Sequence, residues 1–207
     1  MVNNKISANT KIDAPLSADG ASERRGRGRP RVFDSELAVK LALERFRRDG
    51  YAATSTGAIA ADCGASPTSL FAVFPTKLSL FAATLARYEA EMAIGFAEID
   101  RSPAANLPRA ILLWAAGSYA DSGPQGCLVL QHIDGSNDPG VRACAIEAQD
   151  RFKAHIARTL ADAGGSDVER RAQTLVVAMM GLSAAARMGF SAETLKQCAA
   201  DLALSAT

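Results

Sequence analysis

The chain is poor in the residues that build metal centres and disulfide frameworks, with two histidines and four cysteines in 207 residues. Cys63, Cys127, Cys144 and Cys198 are widely spaced and form no C-x-x-C pair, which argues against both a zinc knuckle and a stapled secreted scaffold. Most of them are expected to be small buried apolar side chains. Two histidines are too few to suggest a metal site, and no cofactor is expected. No run approaches the roughly 18 apolar residues of a membrane span. The N-terminus lacks the basic-then-apolar order of a signal peptide, so a cytoplasmic location without membrane attachment is expected. There is no phosphate loop, nucleophile elbow, paired-histidine helix motif or dinucleotide fingerprint, and nothing asks for catalysis. Neither an alternating strand nor an internal repeat is found.

What the chain does have is apolar bulk and an uneven charge. Hydrophobic residues make up 48% of it, enough for a real core. Through Ala90 thirteen Lys and Arg face nine Asp and Glu, a balance of +4; from Glu91 onward ten face thirteen, a balance of −3. The basic half is the one to suspect of a polyanion partner. Its densest stretch is RRGRGRPR, residues 24–31, with five arginines in eight residues. Gly26, Gly28 and Pro30 are too close together for a packed helix, and five guanidinium groups cannot enter a buried strand. An exposed, extended arm is expected. Arg27 and Arg29, set in the sequence Arg-Gly-Arg-Pro, resemble the AT-hook, a motif of the DNA minor groove. Two readings are open: an arm inserted in a groove, or a solvated basic tether that touches phosphates without sequence preference.

Beyond the arm the pattern is helical throughout. Asp34 or Ser35 can cap a helix in which Val39, Ala42, Leu43 and Phe46 form one stripe, and Gly50 is expected to end it. Thr54 or Ser55 can cap a short helix carrying Ile59 and Ala60. Gly64 breaks that helix, and Ser66 caps another with Pro67 at its favoured first position. Two short helices joined by a tight glycine turn are a helix-turn-helix. Pro75 interrupts, and Lys77 opens a long helix whose Phe81, Leu85, Tyr88, Met92, Phe96 and Ile99 recur every three or four residues. Breaks at Pro103 and Pro108, at residues 123–126, at residues 137–140 and at Gly164-Gly165 divide the remainder into five more helices. The fold class expected is all-α. An N-terminal extension over residues 1–31, disordered and ending in the basic arm, precedes a three-helix DNA-binding domain over 32–80 and a larger helical domain over 81–207.

Residues 29–81 resemble the N-terminal pattern of the TetR-type bacterial transcription regulators. Phe46, Gly50-Tyr51, Thr54, Ile59-Ala60, Gly64, Ser69-Leu70, Phe74 and Lys77 carry the likeness over about a quarter of the chain. It departs at Phe71, where that family often has tyrosine, at Val73, where histidine is common, and at Gly57, which should weaken its helix by about 1 kcal/mol relative to alanine.

The helix-turn-helix places its second helix in the major groove. Pro67 opens that helix, and Thr68, Ser69 and Ala72 are the expected groove-facing positions. The free amides capped near Thr54, with the Thr54 and Thr56 hydroxyls, can hold phosphate, or those hydroxyls serve as caps alone. The resemblance implies that Lys77 clamps a phosphate and that Phe71 lacks the hydroxyl that would normally reach one. It implies that the last two helices pair with those of a second subunit, making a homodimer on a double-stranded operator with half-sites about 34–36 Å apart. It also implies that the middle helices enclose a pocket for a small-molecule effector. Met92, Phe96, Trp114, Tyr119, Gln131, His132 and Phe152 are the candidate lining residues. The function expected is therefore a ligand-responsive regulator, with repression the usual mode. Two alternatives stand beside it. One is redox sensing through Cys127, which follows Gly126 at the expected start of a helix; the other is an architectural DNA-binding protein with no effector.

Overall fold

Local side-chain chemistry sets the first four helices. In the computed structural model, which describes residues 33–121 and 126–205, Asp34 accepts a hydrogen bond from the Leu37 amide at 3.0 Å and begins α1 (Ser35–Ala53). The expected stop at Gly50 is a kink instead. Gly50 sits at φ 76° and ψ 169°, a conformation glycine adopts without strain, and Tyr51–Ala53 follow it as a last turn. Ser55 caps α2 (Thr56–Asp62), accepting from the Ala58 amide at 3.3 Å. Gly64, at φ 63°, makes the turn, and Ser66 caps α3 (Pro67–Val73) with Pro67 at its first position. Thr76 and Ser79 form a reciprocal capping box at the start of α4 (Lys77–Ile99), satisfying two amides that would otherwise lack partners.

A 3-10 turn at Ala104–Asn106 leads into α5 (Leu107–Asp121), followed by α6 (Leu128–Gly135), α7 (Pro139–Asp162), α8 (Val168–Arg187) and α9 (Ala192–Ser205). Among the described residues there are nine α-helices and no strand, as the sequence led us to expect. The basic arm with Arg27 and Arg29 lies outside the described residues, and so do Gly123, Pro124 and Gln125.

The core explains the order of the elements. The stripe expected on α4 is its buried face: Phe81, Leu85, Tyr88, Met92, Phe96 and Ile99 are all inside. Phe46 of α1 is fully buried, stacks on Tyr51 at 5.7 Å and meets Phe81 edge-on at 5.3 Å, so the first domain is anchored on α4. On α5, Leu107, Ile111, Leu112, Ala115, Ala116 and Tyr119 are buried. That helix is enclosed because α8 and α9 pack on one side of it and α4 on another. α6 packs on α7 and also touches α1. From α1 onward the chain is one compact unit, and the division expected between residues 80 and 81 falls inside α4. Among the described residues no single helix is long and apolar enough to cross a membrane.

Candidate nucleic-acid interface and ligand cavity

α3 has one anchored side chain. Leu70 is 1% exposed, and Thr68 and Ala72, one turn apart, lie on the opposite side of the helix. Pro67, Thr68, Phe71, Ala72 and Val73 are exposed, while Ser69 is half-buried with its hydroxyl 3.0 Å from that of Ser66. Two apolar side chains, Phe71 at 41% and Val73 at 48% exposure, therefore face outward from a helix of seven residues. Ser55 is exposed at the tip of α2 and Thr56 is half-buried.

Thr54 corrects an expectation. It is buried, and its hydroxyl donates to the Gly50 carbonyl at 2.7 Å, so its side chain closes the kink in α1 and is not available to a phosphate. Lys77 is also engaged. Its ammonium donates to the Ala52 carbonyl at 3.2 Å and stands 4.5 Å above the Tyr51 ring. Burial lowers its pKa. Lys77 thus completes the C-terminal end of α1, where free carbonyls favour a cation, and the side chain stays half-exposed beside α3.

The first domain is tied to the second through α6. An Arg47 guanidinium N–H donates to the Gly126 carbonyl at 3.1 Å, and the guanidinium lies 5.7 Å over the Tyr88 ring. The Tyr51 amide donates to Nε2 of His132 at 3.1 Å, while Nδ1 of the same ring is 2.8 Å from the Leu128 carbonyl. One nitrogen must accept and the other donate, so the imidazole is neutral with its proton on Nδ1. Burial lowers its pKa further, in keeping with that state. Gly126 has φ 62°, and a Cβ there would lie 2.7 Å from the Ser183 carbonyl; only glycine lets the chain approach α8 this closely. The Cys127 amide donates to the Ser183 hydroxyl at 2.9 Å and fixes the entry to α6.

Behind this junction is a cavity of about 230 Å³. α4 contributes Tyr88, Met92 and Phe96, α5 contributes Tyr119, and Cys127 stands at the head of α6. Phe152 of α7 and Val176 and Met179 of α8 close the far wall. Charged groups lie at the mouth. Arg151 there pairs with Glu89 at 2.7 Å, and His155 faces Asp100 at 3.6 Å.

The profile of the "Bacterial regulatory proteins, tetR family" fits residues 38–84. Over 176 residues the chain is 34% identical to the HTH-type transcriptional repressor BdcR of Escherichia coli (strain K12), covering 84% of this chain and 89% of that one. The chain belongs to the TetR family. It is also 30% identical over 193 residues to the HTH-type transcriptional repressor ComR of Escherichia coli (strain K12), covering 85% and 90% of the two. Among solved structures, a cysteine-substituted TetR family regulator CifR complexed with double-strand operator DNA superposes with a TM-score of 0.72. It is 24% identical and covers 86% of this chain and 99% of that one.

For this TetR-family chain the cavity sorts the expected lining residues into two groups. Met92, Phe96, Tyr119 and Phe152 line it. Trp114, Gln131 and His132 do not. Trp114 stands behind the wall, edge-on to Phe96 at 4.7 Å, in space that Gly95 leaves open: a Cβ on Gly95 would collide with the Trp114 indole. His132 is turned to α1, and Gln131 is half-buried on another face of α6. Tyr88, Cys127, Val176 and Met179 were missed. The spacing of Tyr88, Met92 and Phe96 along one helix could have revealed the first, since residues four apart share a face. For α8 no such signal exists, because small and large apolar residues surround it.

Proposed function

We propose that this TetR-family chain is a homodimeric transcriptional repressor that reads double-stranded operator DNA with α3 and releases it when a small molecule enters the cavity. The observation that carries the reading is the outward face of α3. Thr68 and Ala72 are presented to solvent by a helix whose buried side chain is Leu70. Thr68 and Ser69 suit base edges or phosphates, and Ala72 suits a thymine methyl. The repressor names of BdcR and ComR and the operator-bound CifR support the same assignment. In this reading residues 32–80 form the DNA-binding head and residues 81–207 the effector and dimer domain. Arg27 and Arg29 add backbone or minor-groove contacts from the extension before it.

The second subunit would sit on α8 and α9. Val177 and Met188 on and just beyond α8, at 57% and 76% exposure, and Leu202 on α9 give that side an apolar stripe with Gly181 in it. Coupling would run through α6. A ligand that displaces Cys127 disturbs the adjoining Gly126 carbonyl held by Arg47, and a shift of α6 moves His132 away from the Tyr51 amide. Thr68→Asp tests the head, because a carboxylate in the groove repels phosphates. Operator affinity in a gel-shift titration is expected to fall at least about a hundredfold with the helical circular dichroism unchanged. Unchanged affinity would remove α3 from the interface.

A further inference from the structure

The two phenols at the inner end of the cavity are not equivalent. The Tyr88 hydroxyl donates to the Cys127 thiol at 3.5 Å. The Tyr119 side chain is 0% exposed, lines the same cavity, and its hydroxyl has no hydrogen-bond partner. Its hydroxyl lies within reach of the Cys127 thiol, which already accepts from Tyr88, but the two do not meet at hydrogen-bond geometry. A buried hydroxyl left unpaired is unfavourable, and a ligand that pairs it gains what the free protein lacks. Burial also raises the Tyr119 pKa well above its ordinary value, so the group is a neutral phenol that can donate.

The walls around it are aromatic and soft. Phe96 and Phe152 meet edge-to-face at 5.0 Å and 84°, and Met92 and Met179 stand in the same lining. Rings and thioethers of this kind favour a ring between them. The arginines of the lining stay at the mouth, where Arg151 faces the Glu89 carboxylate and Arg158 is exposed, and the His155 ring stands 3.6 Å from Asp100. Arg47 lies 5.7 Å over the Tyr88 ring, is held by the Gly126 carbonyl and is not part of the lining, so a charge carried to the inner end would be desolvated with no ion in direct contact. Size narrows the choice further. A cavity of about 150 Å³ accommodates benzene, so one of about 230 Å³ accommodates on the order of nine non-hydrogen atoms.

From these observations we infer that the cavity takes a neutral, single-ring aromatic molecule bearing one carbonyl or hydroxyl oxygen, and that this oxygen accepts a hydrogen bond from Tyr119. The inference rests on the effector reading above and specifies its ligand.

Acetophenone, cumene and benzoate match that size and differ in the oxygen and its charge. Their binding is measured by calorimetry on the full-length wild type and on Tyr119→Phe. Cumene is the more hydrophobic, so the informative quantity is the ratio of acetophenone to cumene affinity. That ratio is expected to fall about five- to tenfold in Tyr119→Phe, with cumene binding no weaker, and benzoate is expected to bind at least about tenfold more weakly than acetophenone. Because the substitution removes an unpaired buried hydroxyl, the free variant should melt no lower than wild type. An unchanged ratio, undetectable acetophenone binding, or tighter binding of benzoate overturns the inference. Release of an operator selected with this protein is scored separately. If the ratio falls but acetophenone leaves the operator bound, the effector reading fails and the ligand class stands; if another molecule releases the operator while the ratio is unchanged, the ligand class alone fails.

Discussion

His132 is a single side chain that reports whether the head and the larger domain are joined. Its Nε2 can accept from the Tyr51 amide only while unprotonated, and its pKa is lowered by burial. The sign follows from linkage. The unfolded chain takes up a proton near the ordinary histidine value of about 6.5 while the folded chain resists it, so stability is full above that pH and declines as pH falls below it. Melting temperature is therefore expected to drop more steeply between pH 7.5 and 5.5 for wild type than for His132→Gln. Parallel slopes would mean that this ring is not the acid-sensitive joint. The position was legible as a candidate of interest, but not its direction. Which face of a short amphipathic helix meets α1 and which meets the cavity is decided by packing between distant segments, and for that reason Gln131 and His132 of α6 fall outside the lining while Met92 and Phe96, on a long periodic helix, lie in it; Trp114 of α5 instead fills the space beside Gly95.

The short helices of the head depend on their caps. α3 spans seven residues, too few to persist by backbone propensity alone, and the Ser66 hydroxyl holds the Ser69 amide at 3.1 Å. Ser66→Ala should cost about 1 kcal/mol of local stability, which weakens operator binding about fivefold in a gel shift. The global melting temperature is expected to change little, since the core on α4 and α5 is untouched. A variant with full affinity would show that the neighbouring elements alone hold α3. The caps and breaks were readable because each is a side chain bonded to its own backbone within three residues, as with Asp34, Ser55 and Ser66; the box of Thr76 and Ser79 follows the same rule but was hidden behind the break at Pro75. The kink at Gly50 was only half readable. Glycine announced a change of direction, but the extra turn beyond it is held by Thr54 and by Lys77 from another helix.

At the scale of the whole molecule the exposed stripe on α8 sets the next test. Val177→Glu should place like charges across a two-fold axis if that stripe is the subunit interface, an arrangement that costs several kcal/mol unless the helices part. Sedimentation is expected to show monomers, with operator affinity reduced along with the loss of paired half-sites; an intact dimer would locate the interface elsewhere. The all-helical class was evident from periodicity because no segment alternated. The cavity was not, since it is the space left among α4, α5, α6, α7 and α8 and belongs to no one segment. The continuity of α4 has a further consequence for how such proteins diversify. One unbroken helix starts beside α3 at Lys77 and carries Tyr88, Met92 and Phe96 into the cavity, so a reading head cannot be exchanged like a bead on a string. Inserting one residue in that helix would rotate the head by about 100° and advance it by about 1.5 Å relative to the cavity. Recombination that grafts a new operator preference onto an old chemical sensitivity must therefore preserve helical phase, and viable hybrids should show crossover lengths in α4 that change by whole turns or not at all.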